Sequence, residues 1–203
     1  MPSRTEAAIA RELRLALARP GPVPHAGDAD VAGPGVAPPA RPPVPAAVLV
    51  AVTDRPEPGL LLTRRTAHLR THAGQIAFPG GRIDPEDGGP VEAALREAEE
   101  EIALAQRHVE VLGLADPWQT VTGYRIAPVV GLVPPDLPLR PAAGEVAEVF
   151  EVPLAHMLDR RRHELREAEW NGARRRFYVI EWEGRTIWGA TAGMLVNLAA
   201  RLG

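Results

Sequence analysis

Residues 78–104, FPGGRIDPEDGGPVEAALREAEEEIAL, constrain the fold more tightly than any other part of the chain. A tight Phe-Pro-Gly-Gly turn opens the stretch and a helix follows, with Pro90 suited to its first position and Glu92 near the positive end of its dipole. Successive helical residues turn by about 100°, which places Glu97, Glu100 and Glu101 on one face. Val91, Ala94, Leu95, Ala98 and Ile102 gather toward the opposite side, where they can meet a core. Like charges three and four residues apart destabilise a helix, so the acidic cluster needs a neutralising partner. Hard divalent cations take oxygen ligands, and Mg²⁺ held by carboxylates usually also sits on substrate phosphates. Arg96, four residues before Glu100, can hold that carboxylate in place. A glutamate-rich helical face by itself is more often plain solvated surface. The glycines directly upstream, Pro90 and Glu92 shift the balance toward a metal-dependent site for a phosphate compound.

A chain of 203 residues is long enough for one domain with a substantial core. Its net charge of −3 gives no global electrostatic case for binding nucleic acid or an anionic membrane. Cysteine is absent, which rules out disulfides and thiol chemistry and is compatible with a cytoplasmic location. All 23 basic residues are arginine, so every cationic side chain that meets a substrate phosphate is a permanently charged guanidinium or a histidine. The run 46–52 is too short to cross a bilayer. Residues 1–20 carry Ile9, Leu13 and Leu17 at helical spacing among charges, a pattern for an amphipathic helix that packs on the domain or on a second subunit of a homodimer. Residues 21–45 are rich in Pro, Gly and Ala and read as an extended or mobile linker in which His25 is incidental.

From residue 46 to 203 strands and helices alternate. Strands are expected at 47–52, 59–63, 75–78, 108–114, 126–133, 145–152, 176–182 and 185–188, and helices at 90–102, 154–158 and after Thr191 as a cap. The arginine triplets 160–162 and 174–176, with Glu164, Glu167 and Glu169 between them, read as a solvated, charge-mixed surface. The fold class is α/β, a mixed sheet with helices on its faces.

Two motifs name a family. The 78–104 stretch resembles the Nudix box, Gly, five residues, Glu, seven residues, Arg-Glu-apolar-X-Glu-Glu-X-Gly-apolar. Anchored on Arg96 and Glu97, its tail matches at Ala98, Glu100, Glu101 and Leu104. Gly81 and Asp87 take the first two positions with one extra residue before Arg96, Asp87 replaces Glu, and Ala103 stands in place of Gly. Directly upstream, LLTRRTAHLRTHAGQIAFPGG resembles the signature of the coenzyme A pyrophosphatase branch of that family: Leu61, Leu62, Thr63, Arg65, Arg70, Gly74, Phe78, Pro79, Gly80 and Gly81 match, with Thr66 for Ser. The segments 122–131, 144–154 and 187–195 also look like this branch.

The resemblance implies an α/β/α sandwich, hydrolysis of the diphosphate of coenzyme A or an acyl-coenzyme A, and a requirement for Mg²⁺ or Mn²⁺. It places the metal on Glu97 and Glu101 most firmly, with Glu100 as a third ligand. Gly80 and Gly81 let backbone approach the site closely. Arg65 and Arg70 are candidates for holding phosphate, including the adenosine 3′-phosphate, against an alternative role in structural ion pairs. Glu145 is the candidate general base, or else a strand-edge glutamate. His72 is a loop histidine that can reach substrate, and Trp118, Trp182 and Trp188 can stack on adenine or pack in a core. Two other readings stay open: a Nudix hydrolase for ADP-ribose, a dinucleotide or capped RNA, and a module that senses a ligand without turnover.

Overall fold

The structure, a computed structural model, describes residues 8–19, 23–33, 41–68, 73–170 and 173–203. Its spine is a pair of long parallel strands, β1 (Val44–Thr53) and β7 (Tyr124–Val133), paired from Val44↔Tyr124 to Thr53↔Val133. Both are buried on two faces over most of their length, which is why each reads as a nearly unbroken apolar run. The other edge of β1 is shared. Val52 pairs with Leu60 of β2 (Gly59–Arg65), while Ala46, Ala47 and Val48 pair with Arg82, Gly81 and Gly80 of β4 (Gly80–Arg82). Between these contacts the chain crosses from β3 (Ile76–Ala77), which pairs with β2, to β4, and the Leu49 N–H donates to the Pro79 carbonyl at 2.8 Å. Outward from β2 lies β8 (Val146–Pro153), and β7 also carries β5 (Glu110–Leu114) and β6 (Trp118–Gln119).

Alternation along β1 feeds two cores. Ala47, Leu49 and Ala51 pack with Ala93, Ala94, Ala98 and Ile102 of α3 (Pro90–Ile102). Val50 and Val52 face the opposite layer, with Leu13 of α1 (Ala8–Ala18), Met157 of α4 (Leu154–Leu158), and Leu195 and Leu198 of α5 (Ala190–Leu202). A second, antiparallel sheet of β9 (Glu164–Trp170), β10 (Ala173–Trp182) and β11 (Arg185–Trp188) adds Ile180 and Ile187 to that layer. The expected mixed sheet with helices on both faces is therefore present. In α1, Ala10, Leu13 and Ala16 are buried and Arg14 pairs with Glu110 at 2.7 Å, so the helix packs on this same domain. Burying Leu13 alone contributes about 1.5–3 kcal/mol.

The proline-rich segment departs from its expected character. Within it, α2 (Asp28–Ala32) buries Val31 and Ala32. The Asp28 carboxylate accepts the Trp118 indole N–H at 2.7 Å and the Val121 N–H at 3.0 Å. Gly27 bridges to Gln119 so closely that any side chain would strike the Gln119 carbonyl. His25 is not incidental either: its carbonyl accepts from the Asn197 side-chain amide at 2.6 Å, and its ring lies 3.0 Å from the Tyr178 hydroxyl. Proline and glycine deprive a segment of helix and sheet pairing, yet the side chains between them can still dock.

Two further expectations are corrected. Thr191 does not cap the last helix; Gly189 precedes α5, and the Thr191 hydroxyl donates to the Ile76 carbonyl at 3.4 Å in the interior. Residues 164–169 are a strand, not merely charged surface: Arg166 bridges Glu164 (2.7 Å) and Glu181 (2.9 Å) across β9 and β10. Charges stand on both faces of this edge strand, which hides the two-residue alternation.

Two predictions concern stability. Asp28→Ala leaves two N–H groups unpaired and is expected to cost about 1–3 kcal/mol in urea denaturation. Ala103, just past α3, sits in the left-handed region at φ 55°, ψ 29°, with its N–H on the Glu99 carbonyl at 3.0 Å. Ala103→Gly relieves that backbone strain, partly offset by a more flexible unfolded chain, and should stabilise by about 0.5–1 kcal/mol in the same assay.

Candidate active site

The site begins with Arg96 on α3. Its guanidinium takes both Asp87 oxygens (3.0 and 2.8 Å), reaches Asp84 at 3.5 Å, and donates to Glu97 at 3.1 Å, Glu100 at 3.2 Å and the Arg82 carbonyl at 3.1 Å. Sequence spacing singled out the Glu100 contact alone. The acidic loop 84–87 was the signal for the others, since it lies between the glycine turn and the helix. Between Asp87 and the helix Gly89 takes φ 138°, and Asp87 reaches Arg96 despite the extra residue before it. Arg96 holds the Asp87 carboxyl below its ordinary range, and its own pKa is raised by that hydrogen bond.

The three glutamates are not equivalent. Glu101 is only 5 % exposed; it accepts the Gly80 N–H at 3.1 Å and lies 3.8 Å from the Arg65 guanidinium. Burial pushes its pKa up to about 7 despite those two partners, and the charges of Glu97 and Glu145 push the same way. Glu97, one turn earlier, is half-buried, and burial raises its pKa too, with Glu100 and Asp84 adding to the effect and Arg96 opposing it. Glu100 is mostly exposed and rests on Arg96. Gly81 faces Glu97 so closely that a side chain there would fall on the carboxylate, and a Cβ on Gly80 would come within 2.6 Å of the Val48 Cα. Glycine at 81 therefore lets the turn lie against α3, and glycine at 80 lets it lie against β1.

Arg65 borders this cluster, with its Nε buried and no hydrogen-bond partner among the described residues. Glu145 is exposed, and its backbone is tied down: its carbonyl accepts the Thr66 N–H at 2.9 Å, while the Thr66 hydroxyl donates to Gly144 at 2.9 Å. The same 141–146 loop is fastened to α3 through the Ala142 N–H and the Glu101 carbonyl at 2.8 Å. Strand alternation sends the two neighbouring arginines of β2 to opposite faces, Arg64 to Glu148 at 2.9 Å and Arg65 to Glu101; the extra residue at the register shift beside them lies in β8. Arg70 and His72 lie outside the described residues. Trp118 is buried with its N–H on Asp28, Trp182 stacks on Phe150, and Trp188 stands edge-on to Phe177.

Among the described residues no three carboxylates or imidazoles stand close enough together to enclose a metal ion as placed. The donor set nonetheless fits one. Glu97 and Glu101 are oxygen donors whose pKa values are raised because burial leaves their charge undercompensated, and a divalent cation would supply the missing positive charge. No helix among the described residues is long and apolar enough to cross a membrane.

Comparison with known proteins agrees with this geometry. Residues 43–174 match the family model of the NUDIX domain. The uncharacterized Nudix hydrolase NudL of Escherichia coli K12 is 49% identical over 158 residues, covering 78% of this chain and 82% of the relative. Among solved structures, the Nudix hydrolase RenU of M. smegmatis aligns at a TM-score of 0.49 with 24% identity, covering 59% of this chain and 76% of that one. The MutT protein of Methanosarcina mazei aligns at 0.46 with 22% identity, covering 59% and 83%. With a family model spanning well over half its length and a relative matched across most of both chains, the protein belongs to the Nudix family of hydrolases and is a pyrophosphohydrolase.

Proposed function

We propose that this hydrolase cleaves the diphosphate of coenzyme A or its thioesters, releasing 3′,5′-ADP and 4′-phosphopantetheine or its acylated form. The observation that carries the reading is the cluster of Glu97, Glu101 and Arg65 against the Gly80-Gly81 turn, reached by the motif of residues 61–81. A diphosphate diester resists hydrolysis because the attacking oxygen must approach an already anionic phosphorus. Nudix hydrolases use divalent cations, which offset that charge and lower the pKa of bound water. Glu97 and Glu101 would hold Mg²⁺ or Mn²⁺ here, with Glu100 at the open side. Arg65, part-exposed and 3.8 Å from Glu101, is suited to a phosphate oxygen of the bond that is cut. Glu145 is exposed yet near enough to act on the Glu101 carboxyl, a position from which it can accept a proton from water.

Asp87 and Ala103, the two residues that differ in type from the Nudix box, each keep the local contact the pattern requires. Asp87 keeps a two-pronged bond to Arg96, and Ala103 keeps the left-handed turn that glycine would make. Product analysis after incubation with coenzyme A and Mn²⁺ should show 3′,5′-ADP, and coenzyme A should be cut faster than its 3′-dephosphorylated form. Equal rates would defeat the coenzyme A assignment. Glu97→Gln and Glu101→Gln should each lower turnover at least about a hundredfold while the thermal transition persists.

The buried carboxyl also links pH to stability. Burial pushes the Glu101 carboxyl up to about 7 in the folded protein, against 4.5 for an unperturbed glutamate. A group that holds its proton more tightly when folded contributes most below the unfolded value and loses that contribution as pH rises through the folded one. In the presence of a chelator, stability should fall between pH 4.5 and 8 by on the order of 3 kcal/mol from this group. Denaturant titrations of wild type and Glu101→Gln check the point; the dependence should flatten in the variant and on adding a divalent ion.

A further inference from the structure

We propose that Thr66 is a positioning residue that sets the reach of Glu145, the general base of the reading above, and with it the rate of the cleavage step. The inference rests on that reading and gives a role to a hydroxyl beside the glutamate cluster. Glu145 is exposed, and among the described residues its carboxylate makes no hydrogen bond or ion pair, so its backbone decides where it can act. Thr66 holds that backbone at two adjoining positions. Its N–H donates to the Glu145 carbonyl at 2.9 Å, and its hydroxyl donates to the Gly144 carbonyl at 2.9 Å. Gly144 takes φ 101°, a conformation open to glycine, so the chain turns sharply just before the base. A carbonyl pinned at that turn fixes the direction in which residue 145 leaves it.

The regular ladder cannot supply this hold. β2 and β8 keep one register as far as Arg64↔Glu148, but the next pair is Arg65↔Val146, which leaves Ala147 as an extra residue in β8. A bulge bends its strand and interrupts the pairing around it. Beyond it a single pair remains before β2 ends at Arg65 and β8 begins at Val146. Thr66 adds its two bonds just past that end. On the other side the same loop is tied to α3, where the Ala142 N–H donates to the Glu101 carbonyl at 2.8 Å, and the Ala142 carbonyl in turn accepts the Val146 N–H at 3.1 Å. Glu145 is thus held between the residue after Arg65 and the backbone of Glu101, the two groups that meet at 3.8 Å in the cluster. Proton transfer needs hydrogen-bond contact, so a base misplaced by about 1 Å can lose on the order of a hundredfold in rate. The Thr66 hydroxyl bond lies at the surface, where water can take its place on the Gly144 carbonyl. Its loss should therefore spare the fold and act on the position of Glu145.

Steady-state kinetics with Mn²⁺ on coenzyme A and on ADP-ribose, together with hydrogen exchange on the metal-free protein, test the assignment. Glu145→Gln should lower kcat at least about a hundredfold. Thr66→Val keeps the N–H and removes the hydroxyl; it should lower kcat about tenfold with KM unchanged. Thr66→Ala should match it, and Thr66→Ser, which keeps a hydroxyl, should stay within about twofold of wild type. In a Glu145→Gln background Thr66→Val should have no further effect, since no base is left to position. Without metal, Thr66→Val should speed amide exchange in residues 142–146 about fivefold while α3 exchanges as before. Full turnover in Thr66→Val, a rise in KM alone, or equal fold losses with and without Glu145 overturns the positioning role. Wild-type turnover in Glu145→Gln removes the base and Thr66 together, whereas an impaired Glu145→Gln beside an unimpaired Thr66→Val removes only Thr66. Cleavage of ADP-ribose without cleavage of coenzyme A removes only the coenzyme A assignment.

Discussion

A guanidinium carries five N–H donors in one rigid plane, and Arg96 uses them to join three pieces of chain around the acidic helix. The acidic loop is tied through Asp87, the strand after the glycine turn through the Arg82 carbonyl, and the helix through Glu97 and Glu100. Without that hub, Glu97 and Glu100 would stand on one helix face with no ion pair among the described residues to offset their repulsion. With it, Glu97 is fixed against Gly81 and the turn is fixed against the sheet. One more bond, from the Gly80 N–H to Glu101, closes the arrangement from the other side.

The same packing creates the chemistry. Burying Glu101 beneath the turn is unfavourable for its charged form, and one distant arginine and one backbone N–H do not compensate it fully. A divalent cation beside it would offset that charge. Glycine at 80 and 81 makes this geometry possible because a side chain at either would collide with β1 or with Glu97. The sheet contributes by dividing one edge of β1 between β2 and β4, so that the chain crossing at Pro79 delivers the turn to the end of α3. Arg65 arrives from β2 and Glu145 from the loop before β8, elements far apart in sequence that the sheet makes neighbours.

The segment before the domain core has a larger structural part than its composition suggests. Residues 23–33 hold β6, α5 and β10 together through Asp28, Asn197 and Tyr178. Through Val121 they also stabilise the loop that leads into Tyr124. Proline content suppresses regular pairing, and regular pairing is what periodicity detects; specific side-chain docking escapes it.

The sequence by itself determined the local elements: the glycine turn, the limits of α3 at Pro90 and Ile102, the apolar runs of β1 and β7, and the carboxylates of the helix. These follow from short-range rules of backbone freedom, dipole and burial that act within a few residues. Tertiary structure alone decided which glutamate is buried, since Glu97, Glu100 and Glu101 look alike on a helical wheel and differ only in what packs beside them. It also decided that Asp87 reaches Arg96 despite an extra residue, and that residues 164–169 pair as a strand. Each of those depends on contacts between residues distant in sequence, whose energies no local pattern encodes.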